Sequence, residues 1–321
     1  MILLLHLALM LVAAPLAVGL IRRLSARLVG ASGPPVLQPW RDLARLLRKQ
    51  PVVPETTSWL FRTAPAASLA ATLAAMSLVP SLALGMATAP LSDLLVIAGL
   101  LALARATLVL AAMDASGVSG LGATREMTLA AIAAPAFFLV AFTLALLAGT
   151  SNLDTIAATV LSGTLGLRIS MALALAAACT VALVAAGRMP TTDPNARNEH
   201  AMGHAAMTLE FSGRHLAMIE LAAALRLLLW MSLIVACFLP AGIAPRDADG
   251  PTLAPWLWLL GSLAWSAKIL IMAAALAAFE TARARRHLSR VPDMLGMAVL
   301  LGLLAAIFLF VSQGFAQGMP P

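Results

Sequence analysis

Apolar residues run along this chain in blocks about 20 residues long, the length an α-helix needs to cross the hydrocarbon core of a bilayer. The pattern predicts eight spans, at about 2–21, 64–85, 92–112, 127–148, 168–187, 217–239, 257–279 and 294–313, forming a single transmembrane domain over 1–321. The blocks are continuous and rich in Ala and Leu. Strands of a spanning barrel would be shorter and would alternate, so helices are the solution that satisfies the backbone in lipid. The first block lacks a basic segment before it, exceeds the apolar core of a signal peptide and is followed by Arg22 and Arg23, so it reads as a retained anchor.

Between the first two blocks the period changes. In "PVLQPWRDLARLLRK", Val36, Leu37, Trp40, Leu43, Leu46 and Leu47 recur at helical spacing, while Arg41, Arg45, Arg48 and Lys49 occupy the other side. This predicts an amphipathic helix over about 36–49 lying in the membrane interface. It would serve as a collar against anionic lipid or as a docking face for a cytoplasmic partner.

Composition agrees with this architecture: 61% of residues are hydrophobic, 11% are charged, and the mean hydropathy is +0.95. The pI of about 11.1 invites a nucleic-acid reading, but the distribution of the basic residues explains it differently. The loops after spans 1, 3, 5 and 7 hold sixteen Lys and Arg, whereas those on the opposite side hold Arg246 alone. The basic loops therefore face the cytoplasm, both termini face outward, and nucleic acid is not an expected partner. Cys179 and Cys237 lie inside apolar blocks and lack the spacing of a disulfide or metal framework.

Charges inside apolar blocks carry the candidate chemistry. Arg105, Arg168, Glu220, Arg226 and Lys268 fall within or at the ends of spans, where each costs about 2.5–3.5 kcal/mol at a helix centre. Arg168 has a bland explanation in snorkelling, and Arg226 in pairing with Glu220; Arg105 and Lys268 lie deeper in their blocks. The stretch before span 6 adds Glu199, His200, His204, Glu210, Arg214 and His215. Glu210 and Arg214 are four apart and would meet on a helix. With a flexible point at Ser212-Gly213, these groups would line a hydrated path toward mid-membrane, with Glu, His and Lys titrating and Arg as fixed counter-charge. His200 and His204 are spaced to ligate a metal, without the further donors such a site needs. No phosphate loop and no nucleophile with its base is present, so a self-contained enzyme is not expected.

Five segments together resemble the complex I subunit 1 family, and more closely its branch in membrane-bound nickel–iron hydrogenases of the formate hydrogenlyase and hydrogenase-4 type. They are "GPPVLQPWRDLARLLRK", "GLGATREMTLAAIAAP", "LEFSGRHLAMIELAAALRLLL", "AKILIMAAALAAFETARAR" and "RVPDMLG". The resemblance implies an all-α, eight-span subunit joining a cytoplasmic hydrogenase module to antiporter-like, proton-pumping membrane subunits. It implies no cofactor in this chain; the nickel–iron centre and iron–sulfur clusters would reside in the hydrogenase large and small subunits and iron–sulfur proteins. By position, Arg41, Asp42, Arg45, Arg214, Arg283, Arg285, Arg286, Arg290 and Asp293 would contact that module, and Glu199, His204, Glu210, Glu220, Lys268 and Glu280 would be the proton-coupling candidates. The expected location is the cytoplasmic (inner) membrane of a bacterium or archaeon.

The chain departs from that branch at three places. Ala134 and Ala205 stand where relatives typically carry Glu, and Phe211 stands where they favour Tyr; the chain has no tyrosine. Losing two carboxylates fits a subunit that mainly anchors its partners with weakened coupling, or a path relocated through His200 or Glu199. Two other readings are a quinone-chamber subunit of a complex I-like enzyme, and a stand-alone secondary transporter using Arg105, Lys268 and Glu220. The absence of internal repeats counts against the transporter.

Overall fold

A computed structural model describes residues 2–54, 57–115, 118–162, 169–188, 206–247, 250–251, 255–283 and 291–317. The chain is an all-α polytopic membrane protein. Its helices are α1 (Ile2–Leu28), α2 (Gln38–Leu47), α3 (Trp59–Ser77), α4 (Leu94–Ala115), α5 (Val118–Ala148), α6 (Leu153–Leu161), α7 (Ile169–Ala185), α8 (Gly213–Phe238), α9 (Pro255–Arg283) and α10 (Val291–Gln317). Two-residue strands, β1 (Arg246–Asp247) and β2 (Gly250–Pro251), pair antiparallel with Arg246 opposite Pro251. Among the described residues, α1, α4, α5, α8, α9 and α10 are each long and apolar enough to cross a membrane.

Helix α8 is the centre of the bundle. Leu225, Leu228, Leu229, Leu233 and Cys237 are buried on all its sides against α1, α3, α6 and α7. A helix apolar all round belongs in such a place. The peripheral helices instead present Leu259, Leu263 and Ile271 of α9 and Leu300 and Phe310 of α10 outward, an apolar surface suited to lipid or to neighbouring subunits.

Helix α3 stops at Ser77, short of the apolar run that extends to 85, because Pro80 cannot continue the helical ladder. Residues 78–92 form irregular backbone, mostly buried, and its polar groups find protein partners as a low-dielectric setting requires. Leu84 N donates to Ala244 O at 3.0 Å, Ala244 N to Leu82 O at 3.1 Å and Gly85 N to Asp154 Oδ1 at 2.9 Å. Buried His6 is held here too: its Nε2 donates to Met76 O at 3.1 Å, which leaves Nδ1 to accept from Ser81 Oγ at 2.7 Å.

Helix α2 turns its apolar side onto α1 and α8 instead of laying all of it on lipid. Leu43 is buried, Trp40 Nε1 donates to Val12 O at 3.3 Å, and Leu37 and Leu47 remain exposed at the margin. Gly19 permits this seating, since a Cβ there would lie 2.0 Å from Val36 O.

Candidate functional site

The contact of α1, α2 and α8 leaves a cavity of about 340 Å³. Pro15, Val18 and Arg22 of α1, Pro39, Asp42, Leu43 and Leu46 of α2, and Leu216, Glu220, Ala223, Ala224 and Leu227 of α8 line it; Ala186 and Arg188 close it from the end of α7. The strand of chain leaving α2 is strapped to the beginning of α8. Val52 N donates to Ser212 Oγ at 2.8 Å, and Phe61 stacks on Phe211 with ring centroids 4.1 Å apart. Gly213, at φ +53°, passes so close that a Cβ would sit 2.5 Å from Gln50 O. A left-handed residue without a side chain is what that crossing demands.

Charge gathers at one end of this cavity. Arg188 Nη1 lies 3.5 Å from Glu280 Oε1 of α9, and Ser25 Oγ donates to Glu280 Oε2 at 3.2 Å. Burial pushes Arg188 below the ordinary arginine range, Glu280 draws it back up, and the nearby Arg22 lowers it again. Asp42 accepts from Gln38 Nε2 at 2.9 Å and lies 3.6 Å from Arg45 on the solvent side of α2.

A second group of charges lies between α4, α5 and α8. Arg226 is buried, and both Arg105 and Glu126 are near enough to act on it electrostatically. Arg105 Nη2 donates to Ala185 O at 3.2 Å, at the negative end of α7, while its buried Nε has no hydrogen-bond partner. Pairing of Arg226 with Glu220 is not what the structure forms. Six residues along a helix place the two side chains about 120° apart, so Glu220 faces the cavity and Arg226 faces α4 and α5.

The expected site residues thus separate into groups. Glu220, Asp42 and, through Arg188, Glu280 meet around the cavity. Glu210 is half-buried in a turn before α8 and Arg214 is exposed in its first turn, so the two do not share one helix. Lys268 stands apart: its Nζ donates to Leu239 O at 2.6 Å and to Ala241 O, capping the far end of α8, about 28 Å along the helix axis from Glu220. Arg41 and Asp293 are exposed, and Arg283 is the last residue of α9. Glu199, His200, His204, Arg285, Arg286 and Arg290 lie outside the described residues, as does Arg168.

Sequence reasoning missed Glu126 and undervalued Arg226 and Arg188. Glu126 is legible as an acid within "GATREMTL", but hydropathy starts the apolar block one residue later and leaves it in a loop. Among the described residues no three His, Cys, Asp or Glu side chains gather as a metal site would require.

A bundle of apolar helices around a central helix, with ionisable groups buried at its core and a charged cavity at one end, defines a polytopic membrane protein with an internal polar site. The chain belongs to the NADH dehydrogenase family, whose pattern it matches over residues 1–312. It is 29% identical over 280 residues to formate hydrogenlyase subunit 4 of Escherichia coli (strain K12), covering 87% of this chain and 88% of that protein. It is 31% identical over 231 residues to hydrogenase-4 component C of the same organism, covering 72% of each. A chain in the structure of the membrane-bound sulfane sulfur reductase, an archaeal respiratory membrane complex, shares the fold with a TM-score of 0.75 at 20% identity, covering 96% of this chain and all of that one.

Proposed function

We propose that this chain is the membrane-anchoring and proton-coupling subunit of a multisubunit membrane-bound hydrogenase of the formate hydrogenlyase type. It spans the cytoplasmic membrane of a bacterium or archaeon eight times with both termini outward. Its basic loops hold a cytoplasmic module of hydrogenase large and small subunits and iron–sulfur proteins, which carry the nickel–iron centre and the clusters. Antiporter-like subunits pack beside it in the membrane.

The observation that carries the reading is the placement of ion-paired charge beside the interfacial helix. Arg22, Asp42, Arg188, Glu220 and Glu280 gather where α2, the end of α7 and the start of α8 meet. In the proposed topology this is the cytoplasmic end of the bundle, under the docking loops. Events in a docked redox module are therefore felt first at these groups, and Glu126 with Arg105 and Arg226 continues the polar route inward. Relatives that are themselves formate hydrogenlyase and hydrogenase-4 subunits support the choice of complex. Purification of the tagged chain in mild detergent tests it. Co-purification of a nickel-containing large subunit is expected; a chain that comes alone and moves a solute unaided refutes the reading.

A second reading rests on the position of the cavity beside the interfacial helix, where it would admit a quinone, as in a complex I-like enzyme. Quinone-dependent turnover of the assembled complex, abolished by a chamber-blocking inhibitor, would select that reading over hydrogen production.

A further inference from the structure

The cavity at α1, α2 and α8 is lined in two parts. Val18, Leu43, Leu46 and Leu227 form an aliphatic wall, and Arg22 and Arg188 stand together at a charged rim. Two bases, Arg22 and Arg188, and two acids, Asp42 and Glu220, line the cavity. Arg188 is met by Glu280 at 3.5 Å and Asp42 by Arg45 at 3.6 Å, and Arg22 stands close enough to Arg188 for the two guanidinium charges to act on each other. Among the described residues, the lining holds no aromatic ring to stack on a planar head group. A ligand with a flexible aliphatic body and an anionic end matches what is there.

We propose that this cavity is a phospholipid site, with the phosphate held by Arg22 and Arg188 and one acyl chain lying along Val18, Leu43, Leu46 and Leu227. Its volume of about 340 Å³ is at the small end of ligand sites, room for one chain and not for a folded pair. Guanidinium groups bind phosphate with paired, charge-assisted hydrogen bonds, and basic pockets between membrane helices recognise lipid head groups this way. The site also lies where a bilayer would deliver such a ligand. Helix α2 forms its outer wall and leaves Leu37 and Leu47 exposed at its margin, as an amphipathic helix at head-group depth does. The lipid would seal the space between α2 and α8 and set the rim charges against a fixed anion. The proposal deepens the reading of this end of the bundle as the coupling site, on which it rests for the lipid's role but not for its presence.

The test is lipid analysis of the native complex purified through this chain, with phospholipid phosphorus and quinone each measured per copy after exhaustive detergent exchange. The wild type should retain about one phospholipid more per copy than the variant Arg22→Gln, and Arg22→Lys should keep part of that excess. Ala223→Phe, which fills the aliphatic part without touching the rim, should also lose it. Equal phospholipid in wild type and both loss variants overturns the proposal, as does one quinone per copy in place of the lipid. Partner chains in each preparation are scored separately. Their absence would count against the proposed complex while the lipid number still decides this site.

Discussion

Arg188 at the end of α7 and Glu280 near the end of α9 form an ion pair at 3.5 Å, with each side chain about one-fifth exposed, 21% and 20%. Nothing in the sequence joins these residues, which lie in different apolar blocks' flanks. The pair locks the outermost helix to the core beside the cavity, and Ser25 of α1 completes it. Removing one partner strands the other with most of its hydration gone. Glu280→Gln should lower stability by roughly 2 kcal/mol, less than the 3–5 kcal/mol of a wholly buried pair. The loss should appear as a lower Tm of the complex in detergent. The double replacement of Arg188 and Glu280 by Met and Gln should recover part of it, because no charge is then left without a partner; an unchanged Tm in the single variant would show that the pair holds nothing.

Glu126 is the acid near enough to act electrostatically on both Arg105 and Arg226. If the polar route runs through this cluster, Glu126→Gln should leave the subunits assembled while protons moved per electron fall in reconstituted vesicles. Glu220→Gln should do the same from the cavity side. Vesicles in which both variants keep the wild-type ratio would place coupling elsewhere.

Lys268 makes a contrasting case: the resemblance counts it among the coupling residues, and its hydrogen bonds at the end of α8 fit a capping role. By donating to Leu239 O and Ala241 O it satisfies carbonyls at the end of α8 and offsets the negative end of that helix. Lys268→Met should therefore cost stability, about 1–3 kcal/mol by loss of charged hydrogen bonds, and leave the proton ratio unchanged. A lowered ratio at normal stability would return Lys268 to the coupling path.

These contrasts mark what could be read in the sequence. An all-helical membrane fold was legible because hydropathy over 20 residues reports burial in lipid regardless of tertiary detail. The amphipathic helix was legible for the same local reason, and its observed extent, Gln38–Leu47, lies inside the expected 36–49. The buried irregular segment after Ser77 was hidden, since apolar residues look alike in a helix and in a packed loop. The candidate site was only half visible. Glu220 and Asp42 stood out as polar residues among apolar ones, but the cavity they share depends on Gly19 letting α2 settle on α1, a relation between distant positions. Charge partners were least visible of all. Arg226 has Glu220 nearby in sequence and Glu126 nearby in space.

That seating of α2 gives a direct test of the fold around the site. Gly19→Ala would put a Cβ 2.0 Å from Val36 O, a contact that only backbone movement relieves. Gly99→Ala is the control, since a Cβ there meets nothing within 4 Å and Ala favours the helix by about 1 kcal/mol. The first variant should lower Tm by several degrees and weaken attachment of the cytoplasmic module, because the docking helix shifts. The second should match or exceed the wild type. Equal behaviour of the two would mean that α2 is not held by this contact.

The basic loops are the other half of the anchoring role. Arg forms paired hydrogen bonds with carboxylates, so clustered arginines suit an acidic docking partner. Arg283 ends α9 a single turn beyond Glu280, and Arg285 and Arg286 follow it in sequence. Replacing the three with Glu reverses three charges, a change of six units, in this short segment of the sequence. The hydrogenase module should then appear in the soluble fraction after membrane isolation, with this chain still in the membrane. The same change to Arg22 and Arg23 should matter less for attachment, because Arg22 lines the cavity beside Arg188. If the module stays on the membrane with all three arginines reversed, charge complementarity at this loop is not what holds it.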